Sequence, residues 1–485
     1  MRVGFVSLGC PKNLVDSEVM MGLLQQAGAT ITPDAASADV LVVNTCSFID
    51  KAQQESVDTI LEMARHKTEG RAQRLVVTGC MVERYREEIR KNIPEVDAVL
   101  GTGELEGILA AAGMSPTPQH PGSSPFRILA PSESARAARP SRAEGDLREA
   151  QGRFSREGWD GAIASLPNYL YDENTPRLRT TPRTSAYIKI AEGCDHPCGF
   201  CIIPQLRGKF RSRRFASVLA EAQRLVAEGV REITLIGQDT TCYGEDLGMA
   251  DGLAQLLDAL AQVEGLRWLR FLYAYPNKIT PRLLEVMARH GNICKYLDVP
   301  LQHASPAVLK RMKRGGSAEI FLKMLGRVRA AMPEITLRTS FITGFPGETA
   351  EDFSLLLDFV KEARFDWLGV FQYSDEEGAA AYHLDGKVPR RSIVARQNRL
   401  MREQQKISRR AKALLVGQTM DVLVEGGSEE TPLLWQGRSG RHAPEIDGAV
   451  YINDFGPYAT LKAGGFYRCE VMEAHDYDVV ARVVA

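Results

Sequence analysis

No stretch of this 485-residue chain approaches the ~20 consecutive apolar residues that span a bilayer. The opening MRVGFVSLGCPKN has only a short apolar run and lacks the small-residue cleavage site of a signal peptide. A cytoplasmic protein with no membrane contact is expected. An excess of one charge is also missing, since 60 Lys/Arg oppose 61 Asp/Glu for a net −1, so no global basic field points to nucleic acid. The nine cysteines are odd in number, and in a reducing compartment they argue against a disulfide framework. They are therefore structural, catalytic or metal-ligating, and their spacing must decide. The composition, 44% hydrophobic and 25% charged, suits buried cores in a soluble globular protein. At roughly 150 residues per domain the length suggests about three domains.

Residues 1–113 alternate apolar runs with amphipathic stretches. VGFVSL (3–8) precedes a helical pattern through Val15, Val19, Leu23 and Leu24; VLVVNT (40–45) precedes another over 51–65; LVVTG (75–79) precedes a third over 82–92. Val/Leu-rich runs between helices predict an open parallel α/β domain covered on both faces. From 115 to about 165 Pro, Ser, Ala and Arg dominate, which predicts a flexible connector (114–183 in all), with one marginal helix near 143–155. Six further strand–helix units from Ser185 to Gly369 (AYIKIA, EITLIG, WLRFLYA, KYLDVPL, TLRTSFI, WLGVFQ) predict a partial (β/α)6 barrel, two units short of the full eight. With the helical pattern over 393–415 that follows, this second domain covers 184–413. The last stretch, 414–485, reads as five short strands closing a small, OB-like β-barrel.

Cys194, Cys198 and Cys201 stand in EGCDHPCGFC directly after AYIKIA. Three thiolates on one loop can hold three irons of a [4Fe–4S] cube and leave the fourth iron open to chelate a small molecule. The alternatives are chance and a zinc site with His196 as fourth ligand; the tight spacing at the carboxyl end of a first barrel strand favours the cube. A second set is spread out: Cys10, Cys46 and Cys80 each end an apolar run (FVSLGC, VVNTC, VVTGC), 36 and 34 residues apart. In a parallel sheet these positions share the carboxyl edge, where open α/β sheets bind ligands. A single such cysteine would be ordinary core packing; three in register predict a second cluster with an open iron. Cys469, alternating with Tyr467 and Val471, is expected in a core; Cys242, in a loop after the second barrel strand, could approach the site, but a structural role is expected. For His303, in PLQHAS, substrate contact and simple hydrogen bonding weigh equally.

The triad resembles the hallmark of the radical-SAM superfamily, and Phe200 supplies the aromatic before its last cysteine. The resemblance implies S-adenosylmethionine on the open iron and reductive cleavage to a 5′-deoxyadenosyl radical, with Gln238 and Asp239 on the methionyl side and FITGFPGE (341–348), including Gly344, on the adenosine side. Two cysteine sets plus a terminal β-barrel resemble one group in that superfamily, the methylthiotransferases, whose last domain is the TRAM barrel. That implies two [4Fe–4S] clusters, the second delivering sulfur, and an electron donor such as a flavodoxin or ferredoxin.

Members modify a tRNA adenosine or an aspartate β-carbon in protein twelve of the small ribosomal subunit. LGCPKNLVDSE, AEGCDHPCGFCIIP, IGQDTTCYGED, LDVPLQHAS and GRHAPEIDG resemble the second branch. Two features depart from the pattern: the long connector, and SDEEGAAAY, which lacks a Thr after EEG. Charge agrees with the branch. From Leu415 to Ala485 five Lys/Arg face eleven Asp/Glu, 5 − 11 = −6, a barrel that repels RNA phosphates and attracts a basic protein. A solvated acidic face is the plain alternative for the charge. The rival functions are a tRNA methylthiotransferase and a non-enzymatic iron–sulfur or zinc protein.

Overall fold

The computed structural model describes residues 1–114, 167–428, 431 and 433–484; the helix expected near 143–155 lies outside them. The first unit runs β1 (Arg2–Ser7), α1 (Pro11–Gln26), β2 (Thr30–Thr32), β3 (Val40–Thr45), α2 (Asp50–Thr68), β4 (Arg74–Gly79), α3 (Cys80–Asn92), β5 (Ala98–Leu100) and α4 (Ile108–Ala111). Its strands form one sheet in the order β2-β1-β3-β4-β5, parallel throughout. β3 is buried along its whole length, which is why its sequence shows no polar alternation. The three-residue β2 and β5 escaped the sequence reading because they are too short to carry a pattern. Helix α1 buries a polar stripe (Lys12, Asn13, Asp16, Glu18) as well as its apolar one (Val15, Val19, Leu24), because a second unit covers its outer side.

That unit comprises β6 (Ser185–Lys189), β7 (Ala191–Glu192), α5 (Ile203–Arg207), β8 (Arg211–Ser212), α6 (Phe215–Ala227), β9 (Glu232–Ile236), α7 (Gly252–Leu260), β10 (Trp268–Phe271), α8 (Pro281–Arg289), β11 (Tyr296–Asp298), α9 (Pro306–Arg311), α10 (Ala318–Ala331), β12 (Thr336–Thr343), α11 (Ala350–Ala363) and β13 (Trp367–Gln372). Two parallel three-stranded sheets, β6-β9-β10 and β11-β12-β13, join through a parallel bridge between Leu269 and Ile293. The result is a six-stranded arc, open between β13 and β6. Its main core lies between the arc and the outer helices. The long α12 (Arg390–Ala413) leads to a closed barrel, β14 (Thr419–Gly427), β15 (Trp435–Ser439), β16 (Val450–Asp454), β18 (Val479–Val483) and β17 (Phe466–Ala474). Cys469 is fully buried in its core. Among the described residues no helix is long and apolar enough to cross a membrane.

Two segments position the units. Residues 167–183 run as a strap along α1: Arg177 pairs with Glu18 at 2.6 Å and Glu221 at 2.9 Å. The loop after β15, which contains GRHAPEIDG, closes the amino-terminal end of the arc. There Arg438 pairs with Glu232 at 2.7 Å, Arg270 donates to the Gly440 carbonyl at 3.0 Å, and Tyr296 donates to Asp447 at 2.7 Å. The opposite, carboxyl end is left for chemistry.

Candidate active site

Cys10 follows β1 and caps α1, Cys46 follows β3, and Cys80 opens α3. These strands are neighbours, so the three thiols share one sheet edge. The approach depends on glycine. Gly9 and Gly79 have φ of +91° and +97°, a region closed to most L-residues. A Cβ on Gly9 would sit 2.8 Å from the Cys46 Cβ, and one on Gly79 would sit 2.6 Å from the Thr45 carbonyl oxygen. Asn13 ties the edge together, donating to the carbonyls of Leu8 (3.0 Å) and Thr45 (2.9 Å) and facing the Cys80 thiol at 3.8 Å. Burial pushes the Cys46 and Cys80 thiols up, Cys80 to about 12. Burial acts the same way on Cys10, but the Lys12 and Arg207 cations outweigh it and hold that thiol below its usual value.

The second triad lies on the loop after β7. Its path is fixed by backbone bonds, Cys194 N–H to the Gly208 carbonyl (3.2 Å) and Gly199 N–H to that of Met312 (2.8 Å). Burial raises Cys194 to about 11 and Cys201 to about 12. Arg314 donates to the Cys198 sulfur at 3.3 Å and to the Pro300 carbonyl at 3.0 Å. Its guanidinium lies 4.5 Å from the Tyr275 ring centre, Tyr275 stacks on His196 at 3.9 Å, and His196 Nε2 meets Asp239 at 2.6 Å. Asp239 also accepts from the Thr241 N–H (2.8 Å) and the Cys242 thiol (3.1 Å). Cys242, expected to be structural, therefore stands at this site. Gln238 donates to Glu192 at 2.8 Å, while its carbonyl oxygen is buried without a partner. Phe200 packs, partly buried, against the main core. Gly344 (φ +81°) donates its N–H to Glu348. His303 is fully buried; its Nδ1 accepts from the Ser305 N–H at 2.9 Å, while its Nε2 stands 3.8 Å from Glu348 without a hydrogen-bond partner among the described residues.

Helix α5, two residues beyond Cys201, brings the triads together. Its Leu206, with Ile202 and Ala379, shares an apolar cluster with Cys80, and its Arg207 reaches past Asp16 and Glu192 toward Cys10. Ala379 stands where the pattern expects Thr. The segment around it clasps the first unit through Glu376, paired with Arg84 at 2.6 Å and Gln53 at 2.9 Å.

The sequence reading missed Lys12, Glu192, Arg207, Tyr275 and Arg314. Lys12 stands inside a quoted motif and Arg207 just beyond one, but nothing local says that each reaches into the other unit.

Both donor sets fit a cluster better than a single ion. Among the described residues the group with donor atoms close enough to hold one ion is His196, Asp239 and Cys242, all within 4.8 Å of one another, and neither thiol triad is such a group. Tetrahedral zinc with bonds of ~2.3 Å needs sulfurs roughly 3.8 Å apart. His196, the fourth ligand of the zinc alternative, is committed to Asp239 and Tyr275.

A parallel six-stranded arc with a three-cysteine loop after its first strand, preceded by an open α/β unit and followed by a small barrel, defines the class as radical-SAM enzymes. Residues 188–360 match the Radical SAM superfamily, 416–484 the TRAM domain, and 2–101 the family described as uncharacterized protein family UPF0004. The chain is 65% identical over its full length to ribosomal protein uS12 methylthiotransferase RimO of Koribacter versatilis (96% of that protein). It is 54% identical to the RimO of Solibacter usitatus, covering 100% of this chain and 95% of that one. The chain belongs to the RimO family. Among solved structures, the radical S-adenosylmethionine methyltransferase TsrM of Kitasatospora setae shares the fold at a TM-score of 0.50 and 17% identity, covering 76% of this chain and 74% of that one.

Proposed function

We propose that this enzyme adds a methylthio group to the β-carbon of an aspartate in ribosomal protein uS12. Its cofactors are S-adenosylmethionine and [4Fe–4S] clusters, as in its family. The observation that carries the reading is the pair of cysteine triads, one on the carboxyl edge of the first sheet and one on the loop after β7, linked where Ile202 and Leu206 pack with Cys80. Cys194, Cys198 and Cys201 would hold one cluster, and Cys10, Cys46 and Cys80 the other. When bound, the first supplies the electron that cleaves S-adenosylmethionine and the second carries the sulfur. Arg314 orients and neutralises the Cys198 thiolate. Gln238 and Asp239 would take the methionyl side, Gln238 through its unpartnered carbonyl oxygen and Asp239 by fixing His196 and Thr241. Phe200 shields the loop from water, and Gly344 shapes the adenosine side, its N–H pinned by Glu348. Units over 1–113, 184–413 and 414–485, with a connector between the first two, would divide the work into sulfur supply, radical generation and docking.

Part of the barrel's acidity is spent inside the molecule: Asp421, Glu425, Asp447, Glu470 and Asp476 pair with arginines. Glu445, Asp454 and Glu473, exposed and outside every ion pair among the described residues, would meet a basic ribosomal protein. A flavodoxin or ferredoxin would supply electrons. The test is incubation of reconstituted enzyme with S-adenosylmethionine, a reductant and purified uS12. Mass spectrometry should find a thiomethyl group on one aspartate of uS12; modification of tRNA adenosine instead would overturn the choice of substrate.

A further inference from the structure

Of the groups of charges buried between the units, which include the Arg84–Glu376 pair, three hold more than one cation, and two of those balance. Glu18 and Glu221 face Arg177 and Arg213 beside the strap. Glu232 and the half-buried Glu425 face Arg270 and Arg438 at the closed end of the arc. The third borders the Cys10–Cys46–Cys80 edge and does not balance. Lys189 bonds Asp16 and Glu192, each at 2.5 Å. Arg207 reaches Asp16 at 2.8 Å and Glu192 at 3.1 Å, and bonds Asn13 as well. Lys12 donates to the Gly237 carbonyl at 3.3 Å and lies 3.7 Å from the Tyr273 ring centre. At the rim the half-buried Arg211 lies near Glu192 and Asp195. Three buried cations thus face two carboxylates, leaving one positive charge in excess. Lys12 and Arg207 are 8% and 2% exposed, so water does not screen it.

An unmatched buried charge is costly, and the groups in reach that could match it are the thiols of the neighbouring triad. Three thiolates around a [4Fe–4S] core in its usual 2+ state carry one net negative charge. Each unit also sends its cation across the interface, Lys12 from α1 to the end of β9 and Arg207 from α5 to the first sheet's edge. We propose that Lys12 and Arg207 form a cationic clamp for the group held by Cys10, Cys46 and Cys80, which sets that group's reduction potential and closes the charge balance of the interface. The inference rests on the reading of that triad as a cluster site. The two are positioning residues: the clamp favours the reduced, more negative state and so raises the potential.

The experiment is a redox titration of the holoenzyme followed by electron paramagnetic resonance, with iron counted beforehand. The signal that disappears in Cys46→Ala marks the cluster of Cys10, Cys46 and Cys80. Arg207→Met and Lys12→Met should each move that cluster to more negative potential, shifting its reduction equilibrium about tenfold, and leave the other cluster in place. Arg207→Lys should restore most of the shift. Arg177→Met, which loosens the same interface within a balanced group, should not change it. Lys12→Met decides the matter if Arg207→Met does not fold. Unchanged potentials in a protein with both clusters, or an equal shift in Arg177→Met, would overturn the clamp. A wild-type protein with one cluster would instead overturn the reading of the triad, and the clamp with it.

Discussion

At the scale of single residues, placement decides what a side chain can do. Arg314 belongs to no recognisable motif, yet it touches a cysteine sulfur and anchors the stack through Tyr275 and His196 to Asp239. Charge-assisted hydrogen bonds contribute about 1.5–3 kcal/mol, so Arg314→Gln should keep its iron and slow S-adenosylmethionine cleavage about tenfold or more. Chromatographic assay of methionine release checks this. Lys412 offers a test by pH. Burial pushes its ammonium down to about 8, 3.7 Å from the Trp367 ring centre. Between about 8 and about 10.4 the unfolded chain holds a proton that the folded one has released, so this residue makes stability rise with pH across that window. Lys412→Met lacks the proton. Its stability relative to wild type should be highest below pH 8 and fall by up to about 3 kcal/mol by pH 10.4, as denaturant titrations at several pH values would show. A pH-independent difference would contradict the assignment.

Elements were legible where a pattern had room to repeat. β3, β12 and the strands of the terminal barrel are long or regular enough for the run of residues to declare them, and the cysteines at the ends of β1, β3 and β4 fall where a parallel sheet requires. The polar stripe of α1 was not legible. Lys12, Asp16 and Glu18 look like a solvent face, and only the docked second unit makes them interior. Arg207, Arg314 and Tyr275 were hidden for the same reason, since their partners are distant in the chain. The glycine before α3 gives a prediction at this scale. Gly79→Ala places a Cβ against Thr45 in a backbone conformation that costs about 1–3 kcal/mol. The variant should melt earlier and lose roughly four of its iron atoms, those of the Cys10–Cys46–Cys80 set, when assayed by scanning calorimetry and iron analysis.

Across the whole molecule, the terminal barrel closes the amino-terminal end of the arc while the first unit covers the carboxyl end. In the proposed function, substrate would approach between the first unit and the arc, where Arg84 pairs with Glu376. This arrangement would keep radical chemistry away from water. The central claim is that the two thiol triads hold separate groups with separate tasks. It is tested most directly by counting iron and S-adenosylmethionine cleavage in Cys46→Ala beside Cys198→Ala after anaerobic reconstitution. The account predicts that Cys46→Ala retains about half the iron and still cleaves S-adenosylmethionine without modifying uS12, while Cys198→Ala cleaves none. Loss of cleavage in both variants, or full methylthiolation by Cys46→Ala, would contradict it.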